Sequence, residues 1–190
     1  MCWTLKKAYY RTYQAIYRVA VKVLDWSEPE LLTGAGSIKK LPEFIKDKGL
    51  KNMLIVTDKG LMSLHLLDGL FESLDAVGVK YALYDGVQPN PTFDNINDAY
   101  NMYVKNNCDG VIAFGGGSSM DCAKVAAARV VKPNMPIPKM RGQLKIRKKL
   151  PLIFAVPTTA GTGSETTLAA VVTNPQTHEK YAINDPVLRP

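Results

Sequence analysis

Gly110-Val-Ile-Ala-Phe-Gly-Gly-Gly-Ser-Ser119 is the stretch on which the fold turns. Residues 110–114 form an apolar run of strand length, three glycines follow, and residues 119–131 carry a helical pattern. Glycine lets the backbone approach a bulky anion and adopt positive φ. The first turn of a helix presents free N–H groups and a partial positive charge. Together they make a phosphate seat. The plainer reading is a tight strand-to-helix turn with Ser118 or Ser119 as N-cap, but three successive glycines exceed what a turn needs. Neither GxxxxGK[ST] nor GxGxxG is present, and Met120 stands where both GxGxxG and a GxSxG elbow require their last glycine.

Outward from this stretch the pattern alternates. Apolar strands are predicted at 53–57, 79–84 and 152–156, and helices at 39–48, 60–77 and 93–106. Gln88-Pro-Asn-Pro-Thr92 is a loop, because each proline biases its predecessor to extended geometry. Strand–helix alternation with short connections implies an α/β fold, a parallel sheet with helices on both faces. Near-continuous apolar strands fit burial on both sides. Two further strands, 168–173 and 180–183, flank an Asn174-Pro175 turn. Residues 132–150 are broken by prolines and read as an exposed basic excursion.

The chain has 190 residues and a formal net charge of +7. A basic balance invites a nucleic-acid or anionic-membrane reading. The charge is unevenly placed: residues 1–26 carry +4, residues 132–149 carry +7 with no acid, and the remainder sums to −4. The predicted nucleotide-fold core is thus slightly acidic, and no nucleic-acid partner is expected. Three cysteines without CxxC and two histidines exclude a disulfide framework and a histidine-built metal site within the chain. No apolar run approaches the roughly 18 residues of a membrane span, so a soluble, cytoplasmic protein is expected. Residues 5–24 form a basic, tyrosine-rich amphipathic helix, within an N-terminal extension of residues 1–30. It lies on a membrane surface or docks on its own protein or a partner subunit. Docking is the expectation favoured here.

Asp58 follows its strand on the same rim as the glycines. Its carboxylate suits ribose hydroxyls and repels a 2′-phosphate, or caps the following helix, or does both. Thr158, Thr159, Thr162, Ser164, Thr166 and Thr167 make a hydroxyl-rich glycine loop, suited to pocket contacts or to ordinary turn chemistry. Asp121 and Lys124 share a helix face. Lys124 is placed to meet a phosphate with Asp121 orienting it or capping the helix, or the two form a plain ion pair. His65 is expected inside its helix without a role, His178 in a turn, and Cys108 and Cys122 as small buried side chains.

Four motifs in order resemble the iron-containing (group III) alcohol dehydrogenase family. Gly115-Gly-Gly-Ser-Ser-Met-Asp-Cys-Ala-Lys124 is similar to its GGGSxxDxAK motif, and Pro157-Thr-Thr-Ala-Gly-Thr-Gly-Ser-Glu165 to its PTTAGTGSE signature. Pro89-Asn-Pro-Thr92 matches its PNPT loop, and Thr57-Asp58-Lys-Gly-Leu61 the end of its first nucleotide-fold strand. The TTAGTGSE segment separates this resemblance from glycerol dehydrogenase and dehydroquinate synthase, which share the fold.

The resemblance implies an NAD(P)-binding α/β domain over residues 31–190, followed in the family by an all-helical domain holding Fe2+ or Zn2+. It implies hydride transfer between a small alcohol or aldehyde and the nicotinamide, in a possible homo-oligomer. By the same resemblance Asp58 sits at the adenosine ribose and favours NAD over NADP, and Asn90 lines the cleft. Gly116, Gly117 and Ser118 hold the pyrophosphate, with Asp121 near the nicotinamide. Thr158, Thr159, Thr162 and Thr167 line the adenine and phosphate pocket, and Lys180 reaches the ribose or phosphates. The family's metal ligands, one aspartate and three histidines, match nothing here, so the chain is expected to lack the metal-binding domain as a fragment or truncated member. Alone it is expected to be inactive, with a non-catalytic nucleotide-binding module as the alternative.

Overall fold

The computed structural model describes residues 3–22 and 28–190. Helix α1 spans Trp3–Val21; Val23 and Leu24, the last residues of the predicted helix, lie outside the described residues. A 3-10 turn (Ser37–Lys40) leads into α2 (Leu41–Asp47), which ends before Gly49 at φ 80. The chain then alternates through β1 (Asn52–Val56), α3 (Lys59–Ser63), α4 (Asp68–Val77), β2 (Lys80–Tyr84), α5 (Phe93–Lys105), β3 (Gly110–Gly115) and α6 (Gly117–Val131). It continues through α7 (Ile137–Met140), β4 (Gly142–Gln143), β5 (Leu152–Pro157), β6 (Ala169–Thr173) and β7 (Lys180–Asn184), with a final 3-10 turn at Pro186–Leu188.

Four strands form one parallel sheet in the order β2-β1-β3-β5. Position in this order explains the burial. Central β3 is buried throughout, and Met53, Leu54, Ile55 and Val56 of β1 are fully buried, because helices cover both faces. The edge strands β2 and β5 are partly exposed. Alternate residues feed two cores. Met53, Ile55, Ile112 and Phe114 pack with Leu41 and Ile45 of α2 and Leu70 and Leu74 of α4. Leu54, Val56, Val111 and Ala113 face the other way, onto α5 and α6.

The order has a functional consequence. The chain leaves β1 for one neighbour, β2, and returns to β3 on the other side. The segments after β1 and after β3 therefore depart to opposite faces. The rim between those two strand ends is a topological switch point, where open α/β sheets take their ligands.

Two expectations are corrected, and a third element finds its place. The single helix predicted over 60–77 is two helices. The chain breaks at His65, whose φ is 55, and its Nδ1 lies 3.0 Å from Asp68 Oδ2. The break brings Leu67, Leu70 and Leu74 into the core together while Leu64 and Leu66 stay exposed, which one uninterrupted helix does not do. The last two predicted strands are present around their turn and lie outside the parallel sheet. β6 and β7 pair antiparallel in a second sheet of order β4-β7-β6. Finally, residues 132–150 are not merely an exposed excursion. Ile137, Met140, Ile146 and Leu150 are buried in the core. Gly142 and Gln143 pair with β7, and Asp185 Oδ2 accepts the amides of Ile146 (2.9 Å) and Arg147 (3.1 Å).

Ile112, fully buried on central β3, tests this architecture. Ile112→Ala is expected to lower the unfolding free energy by about 2–5 kcal/mol through the cavity it leaves, measured by urea denaturation.

Candidate functional site

The rim is built by the loops that follow β1, β3 and β5, closed from the side by the Pro89–Thr92 loop. After β3, Gly115 adopts φ 147, and a Cβ there would lie 2.5 Å from Ser119 Oγ and 2.8 Å from Ser119 Cβ. Only glycine fits this reversal. α6 then starts earlier than the sequence predicted, with Gly116 as N-cap and no side-chain cap. Neither Ser118 nor Ser119 caps it. Ser119 is buried under Gly115, and Ser118 Oγ accepts the amide of Asn90 at 3.2 Å. The first amides of α6 are therefore left for an incoming acceptor.

The hydroxyl loop lies directly against these glycines. A Cβ on Gly116 would sit 3.1 Å from Thr159 Oγ1, and one on Gly117 3.2 Å from Ser164 Oγ and 3.4 Å from Thr162 Cβ. Thr158 is fixed by its amide, which donates to Gly115 O at 3.0 Å. Thr158, Thr159 and Thr162 remain exposed, and Thr162 Oγ1 accepts the Ser164 amide at 3.5 Å. Ser164, buried and close to Gly117, was read only as one hydroxyl among several; no spacing rule distinguishes it.

Asp58 caps α3, its Oδ1 accepting the Leu61 amide at 3.0 Å. Asn90 takes φ 58, a left-handed conformation that asparagine tolerates, and so turns its amide toward Ser118. The next residues are fixed twice. Thr92 and Asn95 form a reciprocal capping box at the start of α5, and the Thr173 amide donates to Pro91 O at 2.9 Å. Lys180 pairs with Thr173 across the β6–β7 hairpin and is exposed. The second sheet thus holds Lys180 on the strand pair that grips the Pro89–Thr92 loop.

Lys124 takes neither of the places open to it in the sequence, at a phosphate or in an ion pair with Asp121. It is fully buried. Its Nζ donates to Thr167 O at 2.7 Å, Ala169 O at 3.2 Å and Thr167 Oγ1 at 3.4 Å. Burial lowers its pKa to about 8, against the raising influence of Asp121 and Glu165. Asp121 accepts the Val171 amide through Oδ2 at 2.9 Å. It neither caps the helix nor makes a close ion pair with Lys124, and its buried Oδ1 has no hydrogen-bond partner among the described residues. Burial raises its pKa, opposed by the Val171 amide, Lys124 and Ser164. These two side chains hold the hydroxyl loop and β6 to α6. Cys108 and Cys122 are buried as expected, burial raising the Cys108 thiol to about 11.

The rim combines glycine backbone, uncapped helix amides and a hydroxyl loop, and comparison with known proteins adds a family. The model of the iron-containing alcohol dehydrogenase family matches residues 29–190. The chain belongs to that family. Alcohol dehydrogenase 4 of Schizosaccharomyces pombe is 43% identical over 155 residues, covering 81% of this chain and 36% of that protein. A 1,3-propanediol oxidoreductase structure superposes with a TM-score of 0.82 at 33% identity, over 88% of this chain and 44% of its own. A sulfoacetaldehyde reductase from Bifidobacterium kashiwanohense, solved with NAD+, superposes at 0.75 with 30% identity, covering 88% and 44% of the two chains. The chain spans less than half the length of the curated relatives it matches.

The iron of the family name has no matching donor set here. Among the described residues no three His, Cys, Asp or Glu side chains gather as a metal site. His65 and His178 sit in separate turns, each at positive φ.

Lys124 gives this region a pH signature. Its folded pKa of about 8 lies below the ordinary 10.5. Between those values the unfolded chain holds more protons at this position than the folded one, so the Lys124 contribution to stability climbs with pH. The buried Cys108 and Cys122 thiols, raised by burial, pull the other way as pH passes 9. The unfolding free energy of the chain relative to that of Lys124→Met, from urea denaturation, is therefore expected to gain about 1–3 kcal/mol between pH 8 and 10.

Proposed function

We propose that this chain seats NAD across the rim between β1 and β3, as the cofactor-binding half of an enzyme that transfers hydride between a small alcohol and its aldehyde or ketone. The carrying observation is the bare backbone of Gly116 and Gly117 at the start of α6, uncapped by any side chain and closed over by the hydroxyl loop. The cradle is one that a Cβ would fill, and its open amides suit the two negative charges of a pyrophosphate.

The chain's residues then take these roles. Gly116, Gly117 and the α6 amides receive the pyrophosphate, with Ser118 fixing the Asn90 turn beside it. Asp58, part-exposed at the end of β1, accepts hydrogen bonds from the adenosine ribose. Its charge disfavours the 2′-phosphate of NADP. Thr158, Thr159 and Thr162 supply hydroxyls to the adenine and phosphate side, while Thr167 acts through its contact with Lys124. Lys180 reaches the ribose or phosphates from the hairpin. Asp121 lies toward the nicotinamide, where its primary contact is to β6. When bound, the nicotinamide accepts or returns the hydride. The chain's contribution is to bind and orient it. No step is assigned to a metal on residues of this chain.

Calorimetric titration of the purified chain tests the reading. Saturable NAD+ binding is expected, tighter than NADP+, and no saturable binding of either would overturn it. Gly117→Val is expected to weaken NAD+ by roughly tenfold or more, because its side chain occupies the cradle. Asp58→Asn keeps an N-cap oxygen while removing the charge. It is expected to narrow the NAD+ over NADP+ preference with little change in Tm.

A further inference from the structure

Helix α1 takes no part in the seat, and it precedes the residues that the family model matches. Its two faces differ sharply. Lys7, Arg11 and Arg18 fall on one line of the helix at spacings of four and seven residues, and Lys22 continues it past the helix end. Leu5, Tyr9, Tyr13 and Ile16 lie on the opposite side, flanked by Trp3, Tyr10 and Tyr17. Residues 3–22 contain no acid.

Docking on its own protein or a partner subunit was the expectation; among the described residues nothing covers this face. Trp3 is 73% exposed, Leu5 64%, Tyr9 62% and Ile16 65%. Tyr13 stacks on Tyr17 of the same helix, with ring centroids 6.2 Å apart. An apolar face of this size does not stay in water without a cover.

We propose that α1 is a surface anchor that lies in the plane of an anionic lipid bilayer. Charge and ring chemistry together select this cover. A bilayer interface accepts both faces at once, with the apolar side at the acyl boundary and the cations among the phosphates. Tyrosine and tryptophan prefer that depth, because their rings are apolar and their N–H or O–H stays wet. Lys6, the one cation on the apolar side, can extend its ammonium back to the headgroups. A protein groove answers only the apolar face and leaves the unbroken basic line without a counterpart. No helix among the described residues is long and apolar enough to cross a membrane, so the association is peripheral. The proposal is independent of NAD binding.

Co-sedimentation of the full chain with vesicles tests it. Phosphatidylcholine vesicles are compared with vesicles also containing phosphatidylglycerol. Binding is expected only to the anionic vesicles and to fall steeply with added salt. Arg11→Glu with Arg18→Glu, and separately Ile16→Asp, are each expected to reduce binding by roughly tenfold or more. All three positions are exposed, so folding is not at risk. Lys148→Glu with Lys149→Glu, in the other basic segment, is expected to leave binding unchanged. Absence of binding, or equal loss with the Lys148 and Lys149 variant, would overturn the proposal. So would an oligomer in lipid-free sedimentation that Ile16→Asp dissolves, since that assigns the face to a second copy.

Discussion

The ammonium of Lys124 is the contact on which the rim depends. It sits fully buried between α6 and the chain that follows the hydroxyl loop, bonded to the carbonyls of Thr167 and Ala169. A buried cation is costly unless surrounded by acceptors, so this one ties its acceptors in place. Thr162 and Ser164, a few residues before Thr167, are thereby held against Gly117. Asp121, one turn earlier on α6, accepts the amide of Val171. Two side chains on one helix face thus place the whole β5–β6 connection over the glycines. The glycines accept that placement because they lack Cβ atoms.

Much of this was legible. The apolar runs at 53–57 and 110–114, with glycine after the second, led to a parallel sheet and to a ligand rim at its carboxyl edge. The PNPT, glycine and hydroxyl segments were named before their proximity was known. Strands β1, β2, β3 and β5 and helices α2, α5 and α6 follow from local periodicity, and each lies within two residues of its predicted bounds. The break at His65 was not legible, because residues 60–77 satisfy a helical pattern and only the tertiary demand on Leu67, Leu70 and Leu74 separates the two helices.

The role of Lys124 stayed open for a related reason. A lysine near a phosphate loop has a ready electrostatic role, and nothing local says whether its side chain turns to the ligand or inward. Its acceptors are carbonyls 43 and 45 residues away in sequence. Backbone oxygens carry no residue signature, so no motif could announce them. Ser118 was similarly ambiguous. Its hydroxyl serves the Asn90 amide rather than the helix it begins.

The anchoring of residues 132–150 bears on tolerance to change. A proline-broken, lysine-rich connection is ordinarily the place where a chain accepts insertions. Here Gly142 and Gln143 are in register with Ile183 and Asn184, and the amides of Ile146 and Arg147 meet one carboxylate oxygen of Asp185. One added residue between Gln143 and Ile146 would part those amides from Asp185 or shift the pairing. Length in this segment is therefore under a spacing constraint that its composition conceals, while the identity of its exposed lysines is free to drift.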